Sequence, residues 1–146
     1  MKRIMAIDYG SKRIGIALTD ALQSMAHPFK VIARTSNDGL IKELKEIITE
    51  HDVEKIVVGL PLHDDGSESK GSVAARKFAQ VLSDKLGIPC CMWDERYTSI
   101  SADHILIEEA DLSRNKRKQV RDKLAASFIL QGYLDSIRHK KDESAC

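Results

Sequence analysis

Residues 3–19 read Arg3-Ile4-Met5-Ala6-Ile7-Asp8-Tyr9-Gly10-Ser11-Lys12-Arg13-Ile14-Gly15-Ile16-Ala17-Leu18-Thr19. The run from Ile4 to Ile7 is apolar, which marks a buried strand, and Asp8-Tyr9-Gly10 closes it. Gly10-Ser11-Lys12 is turn chemistry, so Arg13 to Thr19 returns as a second strand. One face of that strand carries Ile14, Ile16 and Leu18, the other Gly15, Ala17 and Thr19. The small face predicts close approach of a helix or of a substrate backbone.

Working outward, Pro28 to Arg34 reads as a third strand, with Pro28 at the first position, where a missing donor costs little. Ser36 then caps a helix striped by Leu40, Ile41, Leu44, Ile47 and Ile48. Lys55 to Gly59 is a strand ending in Gly59-Leu60-Pro61. A polar loop, His63 to Ser69, leads to a helix with Ala74, Ala75, Phe78, Val81, Leu82 and Leu86 on one face, stopped by Gly87-Ile88-Pro89. Cys90 to Trp93 is a fifth strand. Ser99 can cap a short helix with Ala102, Ile105 and Leu106 inward, and a long helix runs from about Asn115 to Arg138. Three hairpin-linked strands followed by βαβαβ predict an α/β fold, one mixed five-stranded sheet with helices packed on it. The first strand should lie in the middle, with the hairpin strands on one side and the later parallel strands on the other. Residues 1–139 are expected to form a single domain and 140–146 a disordered tail.

Composition fits that architecture. The chain has 146 residues, 42% hydrophobic, 31% charged and 5% aromatic. A chain of this size buries roughly 68–70% of its unfolded surface, so neither a metal nor a disulfide is needed for folding. The apolar run after Met1-Lys2-Arg3 is too short for a signal-peptide core, and no stretch approaches the ~20 apolar residues of a membrane span. A cytoplasmic location without membrane contact is expected. Cys90, Cys91 and Cys146 lack zinc-ligand spacing and read as reduced thiols, the first two on opposite faces of a strand. A net charge of +1 excludes a uniformly basic coat. Locally, Arg114, Lys116, Arg117, Lys118, Arg121 and Lys123 crowd six positive charges together, a pattern that is often just a solvated helix face.

Three acids stand out. Asp8 ends a central strand, where a carboxylate is costly unless it meets a cavity, a cation or a donor. It could equally accept bonds from the turn amides of Tyr9, Gly10 and Ser11. Glu95 lies just past the fifth strand. Two strand positions put it about 9–10 Å from the first strand at ~4.8 Å per strand. Two metal ions ~3.5–4 Å apart could span that gap, with Gly59 between leaving room for an ion or a phosphate. Its bland alternative is a pair with Arg96. Asp122 precedes Ala125, Ala126 and Ile129 on the small, apolar side of the long helix. An ion pair with Lys118, worth only ~0.3–0.5 kcal/mol, would hardly explain an acid there. Converging at one end of one sheet, the three would ligate a hard cation, Mg²⁺ or Mn²⁺. Lys12, Arg13, Arg96, Arg114, Lys116, Arg117 and Lys118 would then hold nucleic-acid phosphates.

The same segments carry a resemblance. Ile7-Asp8-Tyr9-Gly10-Ser11-Lys12-Arg13-Ile14-Gly15-Ile16-Ala17 resembles the opening motif of the YqgF family, RuvC-like proteins of the ribonuclease H superfamily. Gly59-Leu60-Pro61-Leu62 with Asp65-Gly66-Ser67, Asp94-Glu95-Arg96-Tyr97-Thr98-Ser99 and Arg121-Asp122-Lys123-Leu124-Ala125-Ala126 are similar to its later motifs, in order. Tyr97 and Ser99 depart from the leucine and threonine expected there, and neither is an acid. The resemblance implies a ribonuclease-H-like fold and a two-metal-ion nuclease with Asp8, Glu95 and Asp122 as catalytic ligands. It also implies two substrates: the 5′ end of pre-16S ribosomal RNA, in ribosome biogenesis, or a four-way Holliday junction, in DNA recombination. We take RNA processing as the main reading. A symmetric homodimer would suit paired junction cuts and a monomer RNA trimming.

Two readings of other classes compete. Asp-x-Gly before a Gly-Ile-Ala strand also opens the phosphate hairpin of actin-like and sugar-kinase ATPases, but those close two such domains on a nucleotide. A non-catalytic nucleic-acid-binding module would keep the fold and the basic helix, and the presence of all three acids argues against it.

Overall fold

Alternation of side chains across one sheet organises the protein. The computed structural model describes residues 2–95 and 114–139, with backbone alone for 114–123 and 139. The strands are β1 (Arg3–Tyr9), β2 (Arg13–Thr19), β3 (Ala26–Ala33), β4 (Val53–Leu60) and β5 (Cys90–Asp94). The helices are α1 (Asn37–His51), α2 (Lys70–Leu86) and α3 (Arg114–His139). The sheet order is β3-β2-β1-β4-β5. β1 pairs antiparallel with β2 and parallel with β4, and β4 pairs parallel with β5. The first strand is therefore central, as its unbroken apolar run requires.

Two cores follow. Met5, Ile7, Ile14, Ile16, Ile56 and Val58 face α1 and α2, meeting Leu40, Leu44, Phe78 and Leu82. Ile4, Ala6, Ala17, Val57 and Cys91 face the other way, meeting Ala126, Ile129, Leu130, Tyr133 and Leu134 of α3. The small face of β2 is thus the seat of α3, the first of the two possibilities its glycine and alanine allowed. α2 buries Ser72, Ala75, Phe78, Ala79 and Leu82, while Ala74 and Val81 lie half-buried at the edge of that stripe.

The caps explain the helix ends. The Ser36 hydroxyl accepts from the Gly39 amide at 3.1 Å and starts α1. Ser69 and Ser72 form a reciprocal capping box on α2, which stops at Gly87 in the left-handed region.

Two expectations need correction. The third strand begins at Ala26, so Pro28 is not its first residue. It is an edge strand, and the register skips Phe29 between the pairs Ile16–Lys30 and Ala17–Pro28. A bulge on an edge accommodates a proline inside a strand. Cys90 is free, but Cys91 is disulfide-bonded, against the expectation of three reduced thiols. The two face opposite cores, so they are not partners. The short helix placed after Ser99 and the tail 140–146 lie outside the described residues.

Candidate functional site

The carboxyl ends of β1, β4 and β5 sit side by side, where open α/β sheets bind ligands. Alternation assigns the positions at these ends to a face. Asp8 follows Ile4 and Ala6, Gly59 follows Val57, and Glu95 follows Cys91 and Trp93, all on the α3 side. Tyr9 points the other way and stacks on Phe78 of α2, with ring centroids 4.2 Å apart.

Glu95 reaches across β4 to Asp8. The two side chains share a hydrogen bond, which requires a proton between them. Burial is the main cause that lifts the Glu95 carboxyl from 4.5 to about 9, followed by the charge of Asp8, the hydrogen bond to Asp8 and the charge of Asp94. Two strand spacings are therefore bridged by the length of one glutamate.

Gly59 makes that reach possible. A Cβ on Gly59 would stand 2.8 Å from Glu95 Cδ, 2.9 Å from its Oε1 and 2.6 Å from Ile129 Cδ1. The space that the sequence reading reserved for an ion or a phosphate is occupied by the Glu95 carboxyl and Ile129. The reason is physical: a carboxyl drawn out of water ionises poorly, and beside a second acid it is held by a shared proton.

The donor set fits a hard divalent cation. Two half-buried carboxyls held together by one proton would offer their oxygens to such an ion, which would displace that proton. Among the described residues no group of three His, Cys, Asp or Glu side chains stands close enough to hold a metal. Asp122 lies in α3, seven residues before Ile129, and its side chain is outside the described residues.

The other expected residues divide. Lys12 is exposed and Arg13 half-buried at the turn after Asp8. Arg114, Lys116, Arg117 and Lys118 form the first turns of α3, with side chains outside the described residues, and Arg96 lies outside them altogether. His63 is exposed in a closed turn: its carbonyl accepts from Gly66 at 2.8 Å, and its amide donates to Ser67 at 3.0 Å. Sequence reasoning gave no role to Asp94, whose charge acts on Glu95; its adjacency was the available signal.

Among the described residues no helix is long and apolar enough to cross a membrane. The fold is similar to that of Thermus thermophilus RuvC solved with a Holliday junction substrate, with a TM-score of 0.55 at 12% identity, covering 88% of this chain and 92% of that one. It is also similar to the fowlpox virus resolvase solved with Holliday junction DNA, TM-score 0.52 at 13% identity over 92% of this chain and 98% of that one. These are ribonuclease-H-like folds, as the sheet order is here. By sequence, the chain is 43% identical over 142 residues to a Desulfitobacterium hafniense protein named "Putative pre-16S rRNA nuclease", covering 97% of this chain and 98% of that one. A protein of the same name from Thermoanaerobacter pseudethanolicus is 44% identical over 138 residues, 94% of this chain and 99% of that one. The profile of a family described as "RuvX: Holliday junction resolvase" matches residues 2–136. With nearly the whole chain matched, and the Asp8 turn and the Glu95 strand end both inside the match, the protein belongs to the RuvX (YqgF) family.

Proposed function

We propose that this protein is a divalent-metal-dependent nuclease that trims the 5′ end of pre-16S ribosomal RNA in the cytoplasm. The observation that carries it is the half-buried Asp8–Glu95 carboxyl pair at the carboxyl ends of β1 and β5. Asp8, Glu95 and Asp122 would hold Mg²⁺ or Mn²⁺. Such ions, when bound, activate a water and stabilise the leaving oxygen of a phosphodiester. The chain's own part is to hold the two carboxyls together and to release the proton they share as a cation loads. Lys12, Arg13, Arg96 and the bases from Arg114 to Lys118 hold the substrate's phosphates on either side. The ribosomal substrate is supported by the names of relatives that match over almost their full length.

The family description favours a second reading, resolution of four-way DNA junctions. One assay separates the two. Purified protein with Mg²⁺ or Mn²⁺ is offered a ribosomal precursor transcript and a four-way DNA junction side by side. Trimming of the transcript with the junction intact is the expected result, by a monomer. Paired cuts in the junction by a homodimer would replace it with the resolvase reading, and cleavage of neither would leave a non-catalytic binding module.

A further inference from the structure

Arg34 follows the last residue of β3 and is exposed, yet its guanidinium is fixed in place. Its central carbon lies 4.4 Å from the centroid of the Tyr9 ring. Nη1 donates to the Gly10 carbonyl at 3.4 Å, and the backbone amide donates to the Lys12 carbonyl at 2.9 Å. Tyr9 in turn stacks on Phe78, which is buried in the α1–α2 core. The guanidinium is therefore the outer layer of a three-layer stack, over two rings anchored in that core. Among the described residues no carboxylate pairs with it, whereas Arg76 is paired with Glu68 and Arg138 with Asp135.

The stack is tied to the candidate site. The Gly10 amide donates to the carbonyls of Asp8 at 3.2 Å and Arg13 at 3.1 Å. A Cβ at Gly10 would stand 2.5 Å from the Arg13 oxygen, so the turn is closed tightly on itself. Arg34 is thus held at a fixed position relative to Asp8, but on the opposite face of β1. Of its five N–H donors one is spent on Gly10. Immobilising an exposed arginine costs rotamer entropy, and here the stack has already removed that freedom. A planar donor fork, preset and without an acid, has the chemistry of a phosphate site.

We propose that Arg34 is a phosphate-binding residue that holds the substrate backbone where it rounds the β1–β2 turn, beyond Asp8. This rests on the nuclease reading and names part of its substrate path. The strand would pass from the α3 side of the sheet, over Lys12 and Arg13, to a fork on the α2 side.

Binding of a single-stranded RNA and of a four-way DNA junction, each measured in chelator across a salt series, tests this. Arg34→Met keeps an apolar cover over Tyr9 but removes the charge. It should weaken binding about tenfold, the scale of a lost charge-assisted bidentate contact. It should also flatten the log–log salt slope by ~0.7 for the RNA or ~0.9 for the duplex arms. Arg34→Lys should keep the slope and lose part of the affinity, because the charge remains without the fork. Arg76→Gln, at an exposed base already paired, should match wild type. An Arg34→Met protein with wild-type affinity and slope overturns the proposal, and a lowered melting temperature with an unchanged slope leaves Arg34 as a cover for the ring. Should Arg34→Met fail to fold, wild-type affinity in Arg34→Lys overturns the fork. Wild type that binds neither probe sinks the nuclease reading and this one together; wild type that binds while Arg34→Met keeps its slope sinks this one alone.

Discussion

The carboxyl of Glu95 crosses the width of β4, over Gly59, to hydrogen-bond with that of Asp8. Two acids 87 positions apart in sequence thereby titrate as one unit, and burial sets the direction. Without metal the pair prefers one proton to two charges.

That preference makes stability depend on pH in a definable direction. The folded Glu95 carboxyl titrates near 9 and the unfolded one near 4.5. Folding is favoured most below the lower value, and this contribution is lost as pH rises through the upper one. In chelator the melting temperature should therefore fall between pH about 4.5 and about 9, by ~2–4 °C for each kcal/mol lost. Glu95→Gln should flatten that decline, and Mg²⁺ should oppose it by favouring the ionised pair. Identical slopes for wild type and Glu95→Gln in chelator would remove Glu95 as the cause.

Asp8→Asn should abolish hydrolysis while leaving the fold intact or slightly stabilised. Asparagine keeps a hydrogen-bonding partner beside Glu95 and removes the Asp8 charge that opposes ionisation there. The Glu95 carboxyl should then titrate closer to its ordinary range. Melting curves in chelator and in Mg²⁺ check the assignment. If wild type and variant gain the same stability from the ion, Asp8 is not a ligand.

Gly59→Ala separates the site from the fold. The added methyl meets two side-chain ends, the Glu95 carboxyl and Ile129 Cδ1, rather than backbone. Both can shift, at a cost of about 1–3 kcal/mol for overpacking. The Glu95 carboxyl, however, cannot keep its place beside Asp8. Activity should fall at least tenfold while the protein still melts cooperatively. Full activity in a folded Gly59→Ala protein would mean that the Glu95 position over Gly59 is not the working one.

Much of this was legible in the sequence, for reasons that differ from residue to residue. Asp8 and Glu95 were visible because each closes an apolar strand, and strand order could be argued from hairpin and crossover lengths. The direct contact between them was not visible, because spacing between strands says nothing of a side chain's reach. β3 was misplaced by two residues at its start because a proline inside a strand reads as its beginning until a bulge is known. Arg34 carried no signal at all. Its place over Tyr9 depends on the end of β3 lying against the β1–β2 turn, a pairing 25 residues away in the chain.

The last prediction separates substrate holding from chemistry along α3, whose helix spans Arg114–His139 and so carries both the basic run and Asp122. If Arg114, Lys116, Arg117 and Lys118 contact phosphates, replacing them with Gln should weaken binding without altering the metal requirement. Each lost contact should flatten the salt dependence by ~0.7 in log–log slope for single strands and ~0.9 for duplex DNA. Asp122→Asn should do the reverse, keeping or tightening binding, since a negative charge near phosphates is gone, while cleavage is lost. The distinction depends on Ala126, Ile129 and Leu130 fixing the sheet-facing side of the helix, one and two turns beyond Asp122. A helix anchored there holds its first turns at the same end of the sheet as Asp8 and Glu95. If the four Gln substitutions leave affinity and salt slope untouched, the run is a solvated face and the nucleic acid enters by another route. If Asp122→Asn cleaves at the wild-type rate, Asp122 is not a ligand, and the helix contributes only its bases.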